Sequence, residues 1–254
     1  MTDQSLKGRR IIVTGGASGM GEGIVRALTR LGASVVSLDL NAVMGTSVAT
    51  EAGAGFIAVD VSDKHSVDAA VEQAVALLSG LDVLIHAAGV APGAAAEAIP
   101  LDQWQQVMTI NATGTFLMNQ AVFPHLKDKG GAIVNFASSA GVKGYPNKAA
   151  YAASKGAVVA WIRSIAVEWG RYNIRVNGIA PAIWTPMYDK TRAAMSPEQL
   201  AVHDAALRVG IPLGGKLGDI ETDLVPLIAF LASEDSRFMT GQIFPVDGGV
   251  LQMR

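Results

Sequence analysis

Residues 11–21 read IIVTGGASGMG, an apolar run that passes directly into a turn holding four glycines. The run Ile11–Thr14 is typical of a buried strand, and the segment Gly21–Leu31 behind the turn has helical periodicity. Glycines at such a junction permit a tight turn and let the backbone approach a pyrophosphate, whose charge meets the free amides at the helix N-terminus. We therefore predict a dinucleotide site here; the alternative is an ordinary glycine-rich turn.

The same strand-to-helix pattern recurs along the chain. Apolar runs predict strands at Ile11–Thr14, Ser34–Asp39, Gly55–Asp60, Val83–His86, Ala132–Ala137, Ile174–Ile179 and Gln242–Val246. Helical periodicity predicts helices at Gly21–Leu31, Ser66–Leu78, Leu101–Leu126 and Ala152–Arg171. This alternation favours right-handed βαβ crossovers. We predict a single α/β domain over residues 1–254: a Rossmann-type doubly wound parallel sheet of about seven strands, flanked by helices on both faces.

The composition excludes several classes of protein. Half of the 254 residues are apolar, and the net charge is −2 with no run of Lys or Arg, so nucleic acid is not an expected partner. The apolar run Leu224–Ala232 is shorter than the roughly 20 residues that cross a bilayer. The absence of cysteine excludes disulfides, thiol nucleophiles and thiolate metal sites, and we predict no metal site. The polar start lacks a signal-peptide pattern, so we expect a cytoplasmic protein.

A carboxylate at the end of the second predicted strand indicates which dinucleotide binds. Asp39 follows Ser34–Leu38 at the spacing where an acid would bind both ribose hydroxyls of an adenosine. A 2′-phosphate would meet a like charge there. No Arg or Lys stands at the flanking positions Ala17, Ser18, Leu40 and Asn41. The pattern favours NAD over NADP, although the same carboxylate could instead cap a turn.

A second group of residues could form an acid–base centre. Tyr151 and Lys155 stand one helical turn apart on the same face of a helix, and Ser138 ends the strand before it. A phenol has a pKa of about 10, so it is a poor base at neutral pH unless a cation such as Lys155 favours its phenolate. Ser138 would hydrogen-bond the substrate oxygen, with Ser139 as the alternative.

These motifs together resemble the short-chain dehydrogenase/reductase family over essentially the whole chain. Gly15, Gly19 and Gly21 give the family's glycine spacing, and its Asn-Ser-Tyr-Lys set is matched by Asn111, Ser138, Tyr151 and Lys155. The resemblance implies that Tyr151 is the catalytic acid/base and that Lys155 also binds the nicotinamide ribose. It implies that Asn111 bends its helix and anchors a water leading protons from Lys155 to solvent. From chemistry alone, Asn111 could equally be a helix-interior amide satisfied by the backbone.

The resemblance also implies a set of cofactor contacts. They are Gly15, Ser18, Gly19, Met20, Gly21, Asp39, Leu40, Asp60, Val61, Ala87, Ala88, Gly89, Tyr151, Lys155, Pro181, Ile183 and Thr185. Two positions depart from the family pattern. His86 opens the segment that corresponds to the family's Asn-Asn-Ala-Gly, where we expect a structural side chain rather than a base. Ala182 replaces a glycine, which narrows the backbone freedom at the start of the next segment.

That segment, roughly Ala182 to Asp219, is the only long irregular stretch in the predicted pattern, and we predict that it is a substrate lid. Besides Ser138 and Tyr151, the expected substrate contacts are Tyr145, Pro92, Trp184, Met187 and Tyr188. Most of these side chains are apolar or aromatic, which favours a hydrophobic secondary alcohol or ketone. Alternatively, Trp184 and Met187 only pack the lid.

The sequence thus predicts an NAD-dependent enzyme that interconverts a secondary alcohol and a ketone by hydride transfer. A competing hypothesis is an NADPH-dependent 3-oxoacyl-carrier-protein reductase, with Lys127, Lys129 and Arg171 as a basic rim for an acidic carrier. The fold could also serve a catalytically inactive binding protein or a structural oligomer without ligand. Apolar residues beyond one stripe on Leu101–Leu126 and Ala152–Arg171 permit a second packing surface. The resemblance makes this surface a homodimer interface, often within a tetramer.

Overall fold

Seven parallel strands form one sheet in a computed structural model, which describes residues 6–251. The strands are β1 (Arg10–Thr14), β2 (Ser34–Asp39), β3 (Gly55–Ala58), β4 (Val83–His86), β5 (Gly131–Phe136), β6 (Ile174–Pro181) and β7 (Ile243–Val246). Their order is β3-β2-β1-β4-β5-β6-β7, and every neighbouring pair is parallel. The predicted doubly wound sheet is confirmed. Its strand order reverses between β1 and β4, where ligands of such sheets bind.

Helices cover both faces of this sheet. They are α1 (Gly19–Arg30), α2 (Ala42–Ala52), α3 (Lys64–Leu78), α4 (Leu101–Met108), α5 (Gly114–Leu126), α6 (Ala149–Trp169), α7 (Pro186–Ala193), α8 (Pro197–Gly210) and α9 (Val225–Ala232). Residues of α3, α5 and α6 build the apolar core on one face, and residues of α1 and α9 build the core on the other. Because both faces are covered, the central strands are continuous apolar runs rather than alternating ones.

The prediction of a long irregular stretch at 182–219 is wrong, because α7 and α8 lie within it. Thr185 caps α7 and Pro186 occupies its first turn, while Ser196 and Gln199 form a capping box at the start of α8. These start signals are visible in the sequence. No residue of either helix is buried, so neither helix carries the apolar stripe on which the prediction relied.

Two further helices, α2 and α9, have no counterpart among the predicted ones, and one predicted helix is divided. In the sequence, α9 is part of an apolar run that is too short to cross a bilayer and that predicts no helix by its periodicity. Leu101–Leu126 is interrupted by a π-helical turn at Thr109–Thr113. The remaining predicted boundaries differ from the observed ones by up to three residues, as helix ends commonly do. No helix within residues 6–251 has the length and apolar character needed to cross a bilayer.

Candidate active site

A cleft of about 500 Å³ opens at the carboxyl ends of β1, β2 and β4. It is lined by Gly15, Ser18, Gly19, Met20, Gly21, Leu38, Asp39, Leu40, Val59, Asp60, Val61, Ala87, Ala88, Gly89, Val90, Ile110, Thr185, Pro186, Met187 and Lys190. Most residues expected to contact the cofactor are therefore brought together here. Ile183 is not among the lining residues, because its side chain is buried in the apolar core.

Two glycines of the turn at the base of this cleft, Gly15 and Gly21, have no space for a side chain. Gly15 has a φ of +73°, and a Cβ at this position would lie 2.9 Å from the Ala88 nitrogen. A Cβ at Gly21 would lie 2.0 Å from the Gly15 oxygen, so the first turn of α1 packs directly on the loop. Ser18, the N-cap of α1, makes no side-chain capping hydrogen bond. Its hydroxyl and the first-turn amides are thus available to an anionic ligand in the cleft.

Asp39 ends β2 beside this turn. One of its carboxylate oxygens accepts the Ala17 amide at 3.0 Å, and the other accepts the Asn41 amide at 2.9 Å. The side chain therefore does cap a turn, the role weighed against ribose binding. It also lines the cleft, and each carboxylate oxygen has a further lone pair for a ligand hydroxyl. The two interpretations of Asp39 are compatible.

A second, smaller part of the cleft, about 150 Å³, adjoins the first. It is lined by Ala91, Phe136, Ala137, Ser138, Tyr151, Lys155 and Pro181, and shares Met20, Ala87, Gly89, Val90 and Met187 with the larger part. Ser138 follows β5, while Tyr151 and Lys155 lie in the first two turns of α6. The structure thus brings three of the four predicted catalytic residues to one wall, next to the glycine turn.

Burial determines the charge states of this wall. Desolvation raises the pKa of the Tyr151 phenol above its usual value, and the neighbouring Ser138 hydroxyl acts in the opposite direction. Lys155 is buried, and desolvation lowers the pKa of its amine to about 8. Its Nζ donates to the Phe136 carbonyl at 2.6 Å and lies 5.9 Å from the centroid of the Tyr151 ring. At neutral pH Lys155 is still a cation facing a neutral phenol.

The two candidate serines have different surroundings. The Ser138 hydroxyl oxygen accepts the Ala140 amide at 3.1 Å, and the side chain lines the cleft beside the Tyr151 phenol. The Ser139 hydroxyl accepts a hydrogen bond from the Tyr145 hydroxyl at 3.0 Å, and neither residue lines the cleft. The geometry favours Ser138 as the group that meets a substrate oxygen.

Asn111 lies in the π-helical turn and is fully buried. Its side-chain oxygen accepts the Val90 amide, and its side-chain nitrogen donates to the Val90 carbonyl, both at 2.8 Å. The same nitrogen donates to Ser154 on α6 at 3.0 Å. The amide thus joins the loop after β4 to two helices, and its hydrogen bonds are satisfied within the protein, as expected of a structural residue.

His86 is buried at the end of β4, and its protonation state follows from its partners. The Thr14 hydroxyl accepts the amides of Ala87 at 3.1 Å and Ala88 at 3.2 Å, so its one hydrogen is donated to His86 Nδ1 at 2.8 Å. The ring proton is then on Nε2, which is buried and finds no acceptor among the described residues. Burial, with the charge of Lys155, lowers the pKa of His86 to about 3. This is the environment of a structural side chain rather than a base.

The first residues of the lid are anchored to its last ones. Ile183 pairs with Gly218, the Trp184 amide donates to the Gly218 carbonyl at 2.8 Å, and the Gly218 amide donates to the Ala182 carbonyl at 3.0 Å. Ala182 does not have a positive φ, so alanine fits this position without strain. Of the expected substrate contacts on the lid, Met187 lines the cleft, whereas Trp184 and Tyr188 pack edge-to-face against each other outside it.

Some cleft residues were not predicted, and one predicted surface lies elsewhere. Val59, Val90, Ile110 and Lys190 line the cleft without any motif in the sequence that marks them. Lys127 and Lys129 directly precede β5, and Arg171 directly precedes β6. The proposed basic rim therefore lies at the amino ends of the strands, whereas Ser138 and Pro181 lie at the carboxyl ends. An acidic carrier bound to these basic residues would lie at the opposite end of the strands from the cleft.

Comparisons with known proteins agree with this arrangement. Residues 15–251 match the family model described as Enoyl-(Acyl carrier protein) reductase. The chain is 37% identical to trans-4-hydroxycyclohexanecarboxylate dehydrogenase of Sinomonas cyclohexanicum, over 94% of this chain and 91% of that protein. It is 36% identical to D-threitol dehydrogenase of Mycolicibacterium smegmatis, over 97% and 94%.

Solved structures give the same result. Carveol dehydrogenase from Mycobacterium avium, crystallised in complex with NAD, superposes with a TM-score of 0.89 at 28% sequence identity, over 97% of this chain and 99% of that one. Both the sequence matches and this superposition cover nearly the full length of the chain, including the glycine turn, the helix α6 and the lid. The chain belongs to the short-chain dehydrogenase/reductase family of oxidoreductases.

Proposed function

We propose that this protein is an NAD-dependent enzyme that interconverts a secondary alcohol and a ketone. The observation that carries the proposal is that Ser138, Tyr151 and Lys155 line a cleft whose other end is the glycine turn of α1. Side chains able to hydrogen-bond and protonate a reacting oxygen thus lie next to a site suited to a dinucleotide. Hydride transfer requires this adjacency, because the protein moves the proton while the cofactor carries the hydride.

The cleft residues fit a nicotinamide dinucleotide. Gly15 and Gly21 leave the backbone bare where a pyrophosphate would approach, and the exposed Lys190 amine on α7 would complement its charge. Asp39 would bind the adenosine ribose, and Lys155 the nicotinamide ribose. The Ile183 backbone and the Thr185 hydroxyl would bind the carboxamide. When bound, the dinucleotide supplies the hydride donor or acceptor.

Tyr151 acts as the acid–base group in this proposal. In the oxidation direction its phenolate takes the hydroxyl proton of the alcohol, and in the reduction direction its phenol returns it. Burial opposes the phenolate by raising the pKa of Tyr151, so a nearby cation is needed. Lys155 provides that charge, and its hydrogen bond to Phe136 fixes the amine beside the ring. Ser138 donates its hydroxyl hydrogen to the substrate oxygen and holds that oxygen near Tyr151.

Asp39 supports NAD rather than NADP. Its carboxylate is held by two backbone amides at the position expected for the adenosine ribose, where a 2′-phosphate would meet a like charge. Lys190 lines the same cleft and is the basic side chain that could offset this repulsion. A direct comparison of kcat/KM for NAD and NADP tests the preference, and a higher value for NADP would favour the carrier-protein reductase.

The substrate side of the cleft supports an alcohol with an apolar body. Met20, Ala91, Phe136, Ala137, Pro181 and Met187 line it, and they offer few hydrogen bonds to a polyol. Relatives are named for trans-4-hydroxycyclohexanecarboxylate, for D-threitol and for carveol. These three alcohols therefore form a suitable first panel. A preference for D-threitol would contradict the apolar assignment.

The decisive experiment replaces the phenol. We expect Tyr151→Phe to lower kcat about 10²- to 10⁴-fold for every alcohol that the wild type oxidises, because the acid–base group is lost. NADH should still raise the melting temperature of the variant. Tyr145→Phe, which removes a hydroxyl outside the cleft lining, is the control and should keep near wild-type turnover. Unchanged turnover in Tyr151→Phe would refute the mechanism, and no NADH-induced shift in the wild type would favour a structural oligomer.

The assembly is a further part of the proposal. We expect a homo-oligomer, a dimer or tetramer, in which α5 and α6 of two copies pack together. Two exposed apolar side chains on these helices, Phe116 and Val167, support this surface. We also propose that residues 1–254 act as one domain and that the segment 182–219, with its two helices, covers the substrate.

A further inference from the structure

Lys148 contacts a loop that lines the cleft and has no counter-ion among the described residues. It precedes α6 by one residue, three residues before Tyr151. Its amine reaches across to the loop after β4 and donates to the Ala91 carbonyl at 2.6 Å. Ala91 itself lines the smaller part of the cleft together with Ser138 and Tyr151. The ammonium is therefore hydrogen-bonded to a residue that lines the proposed substrate space.

This cation is partly buried without an acid to compensate it. Among residues 6–251, no carboxylate lies within ion-pair distance of its Nζ, and the one acid of the adjacent loop, Glu97, forms no ion pair with it. Burial lowers the pKa of the Lys148 amine, which is the effect of an uncompensated charge. A buried charge without a partner costs free energy, and a ligand anion would remove that cost.

The surroundings add to the positive potential. No acidic residue occupies the first turn of α6, and the N-cap Lys148 makes no side-chain capping hydrogen bond. The helix therefore presents the positive end of its dipole beside the amine. Only one of the three ammonium hydrogens is used by Ala91, so two remain for a ligand.

We propose that Lys148 binds a carboxylate carried by the substrate, so that the enzyme acts on hydroxy acids and oxo acids with an apolar body between the carbinol carbon and the carboxylate. This inference rests on the proposed alcohol oxidation. The apolar cleft wall receives the body, Ser138 and Tyr151 meet the hydroxyl, and Lys148 holds the acid. Its role is in binding and selection, not in the transfer of the proton.

The test compares acids with their uncharged amides. Binding of 3-hydroxybutanoate, 6-hydroxyheptanoate and 4-hydroxycyclohexanecarboxylate, and of the three corresponding amides, is measured by calorimetry on enzyme saturated with NADH, a combination that cannot react. We expect at least one acid to bind about tenfold more tightly than its amide, because an ion pair replaces a neutral contact. Lys148→Gln should abolish this difference, and Lys148→Arg should keep part of it. Lys127→Gln, the same charge change at the far end of the sheet, should leave it intact.

Two results would overturn the assignment. One is equal binding of acid and amide by the wild type for all three pairs. The other is an equal loss of affinity for acid and amide in Lys148→Gln, which would mean that the lysine only stabilises the loop through its hydrogen bond to Ala91. Turnover of the same alcohols with NAD is measured in parallel. If none is oxidised while Lys148 still selects the acids, the proposed reaction is wrong but the anion site is retained.

Discussion

The Asp39 carboxylate at the end of β2 accepts the backbone amides of Ala17 and Asn41. Ala17 belongs to the glycine turn, so the same side chain that would select the ribose also fixes the loop that would hold the pyrophosphate. An acid at this position would therefore both bind the ribose and stabilise the turn. It also means that a substitution must keep the shape of the side chain if it is to report on cofactor choice alone.

Asp39→Asn removes the charge and keeps the size, but its single amide oxygen can accept only one of the two backbone amides that Asp39 holds. The comparison of NAD with NADP therefore separates the effect on cofactor choice from the effect on the turn. We expect kcat/KM with NAD to fall about tenfold, since a charge-assisted hydrogen bond becomes a neutral one, and kcat/KM with NADP to rise as the repulsion disappears. Steady-state kinetics with both cofactors measure the change. Equal losses with NAD and NADP would indicate that Asp39 only supports the turn.

The buried ring of His86 gives a prediction about pH and stability. Its pKa in the folded protein, about 3, is lower than the ordinary value of 6.5, so the unfolded chain binds a proton that the folded chain excludes. The neutral ring of His86 costs the folded state no stability above about pH 6.5. As the pH falls toward 3, the free energy of unfolding decreases by about 1.4 kcal/mol per pH unit, because one proton binds to the unfolded chain only.

We therefore expect His86→Asn to unfold with a free energy that depends less on pH between 6.5 and 4 than that of the wild type. Denaturant titrations at several pH values measure both slopes. The control is His65→Asn, which removes an exposed imidazole at the start of α3 and should keep the wild-type slope. Identical slopes for wild type and His86→Asn would contradict the assigned neutral state of the buried ring.

At the scale of elements, the two lid helices are held together by side chains rather than by a core. The Tyr188 hydroxyl bonds His203 at 2.5 Å, and Arg192 pairs with Asp204 while its guanidinium lies 5.1 Å from the Trp184 ring. These contacts join α7 to α8 in a layer in which no residue of either helix is buried. We expect such a layer to move as a unit at small cost in buried area.

Arg192→Gln should loosen this layer. We expect KM for the alcohol to rise roughly fivefold with little change in kcat, because this half-buried ion pair orders the lid while the acid–base groups lie elsewhere. Hydrogen exchange of the amides in 186–210 should become faster. Arg208→Gln, on an arginine of α8 that forms no ion pair among the described residues, is the control. Unchanged exchange and KM would show that Arg192 does not order the lid.

At the scale of the whole molecule, the outer side of α5 and α6 is the surface proposed for assembly. Phe116 packs edge-to-face on Trp161, with ring centroids 5.4 Å apart, and Trp161 packs in the same way on Trp169. Phe116 of α5 is 36% exposed and Val167 of α6 is 84% exposed. Exposed apolar side chains on both of these helices favour a surface that another protein covers.

Val167→Lys should lower the oligomer mass, because two facing copies would each place an unpaired charge in an apolar interface. Light scattering after size-exclusion chromatography measures the mass. Val209→Lys makes the same change at a valine of α8 that is 87% exposed, and should leave the assembly unchanged. A monomeric wild type, or an unaltered mass in Val167→Lys, would refute the proposed interface.

The sequence by itself determined the features that depend on local backbone geometry. Gly15 and Gly21 mark a strand–turn–helix junction, and Tyr151 and Lys155 share a helix face because residues four apart always do. The strand-and-helix alternation was enough to predict the parallel sheet, since buried strands require continuous apolar runs. Start signals such as Ser196 were present too, but without an apolar stripe they did not lead to a predicted helix.

Only the tertiary structure decided which distant residues meet. Lys148 reaches Ala91, and Asn111 reaches Val90, across elements whose separation depends on the crossovers and not on sequence spacing. The sequence suggests Lys129 as part of a basic rim and Tyr145 as a substrate contact. In the structure Lys129 lies at the opposite end of the sheet from the cleft, and the Tyr145 hydroxyl donates to Ser139. The physical reason is that a side chain's environment is set by packing of segments far apart in the chain, for which local propensity carries no information.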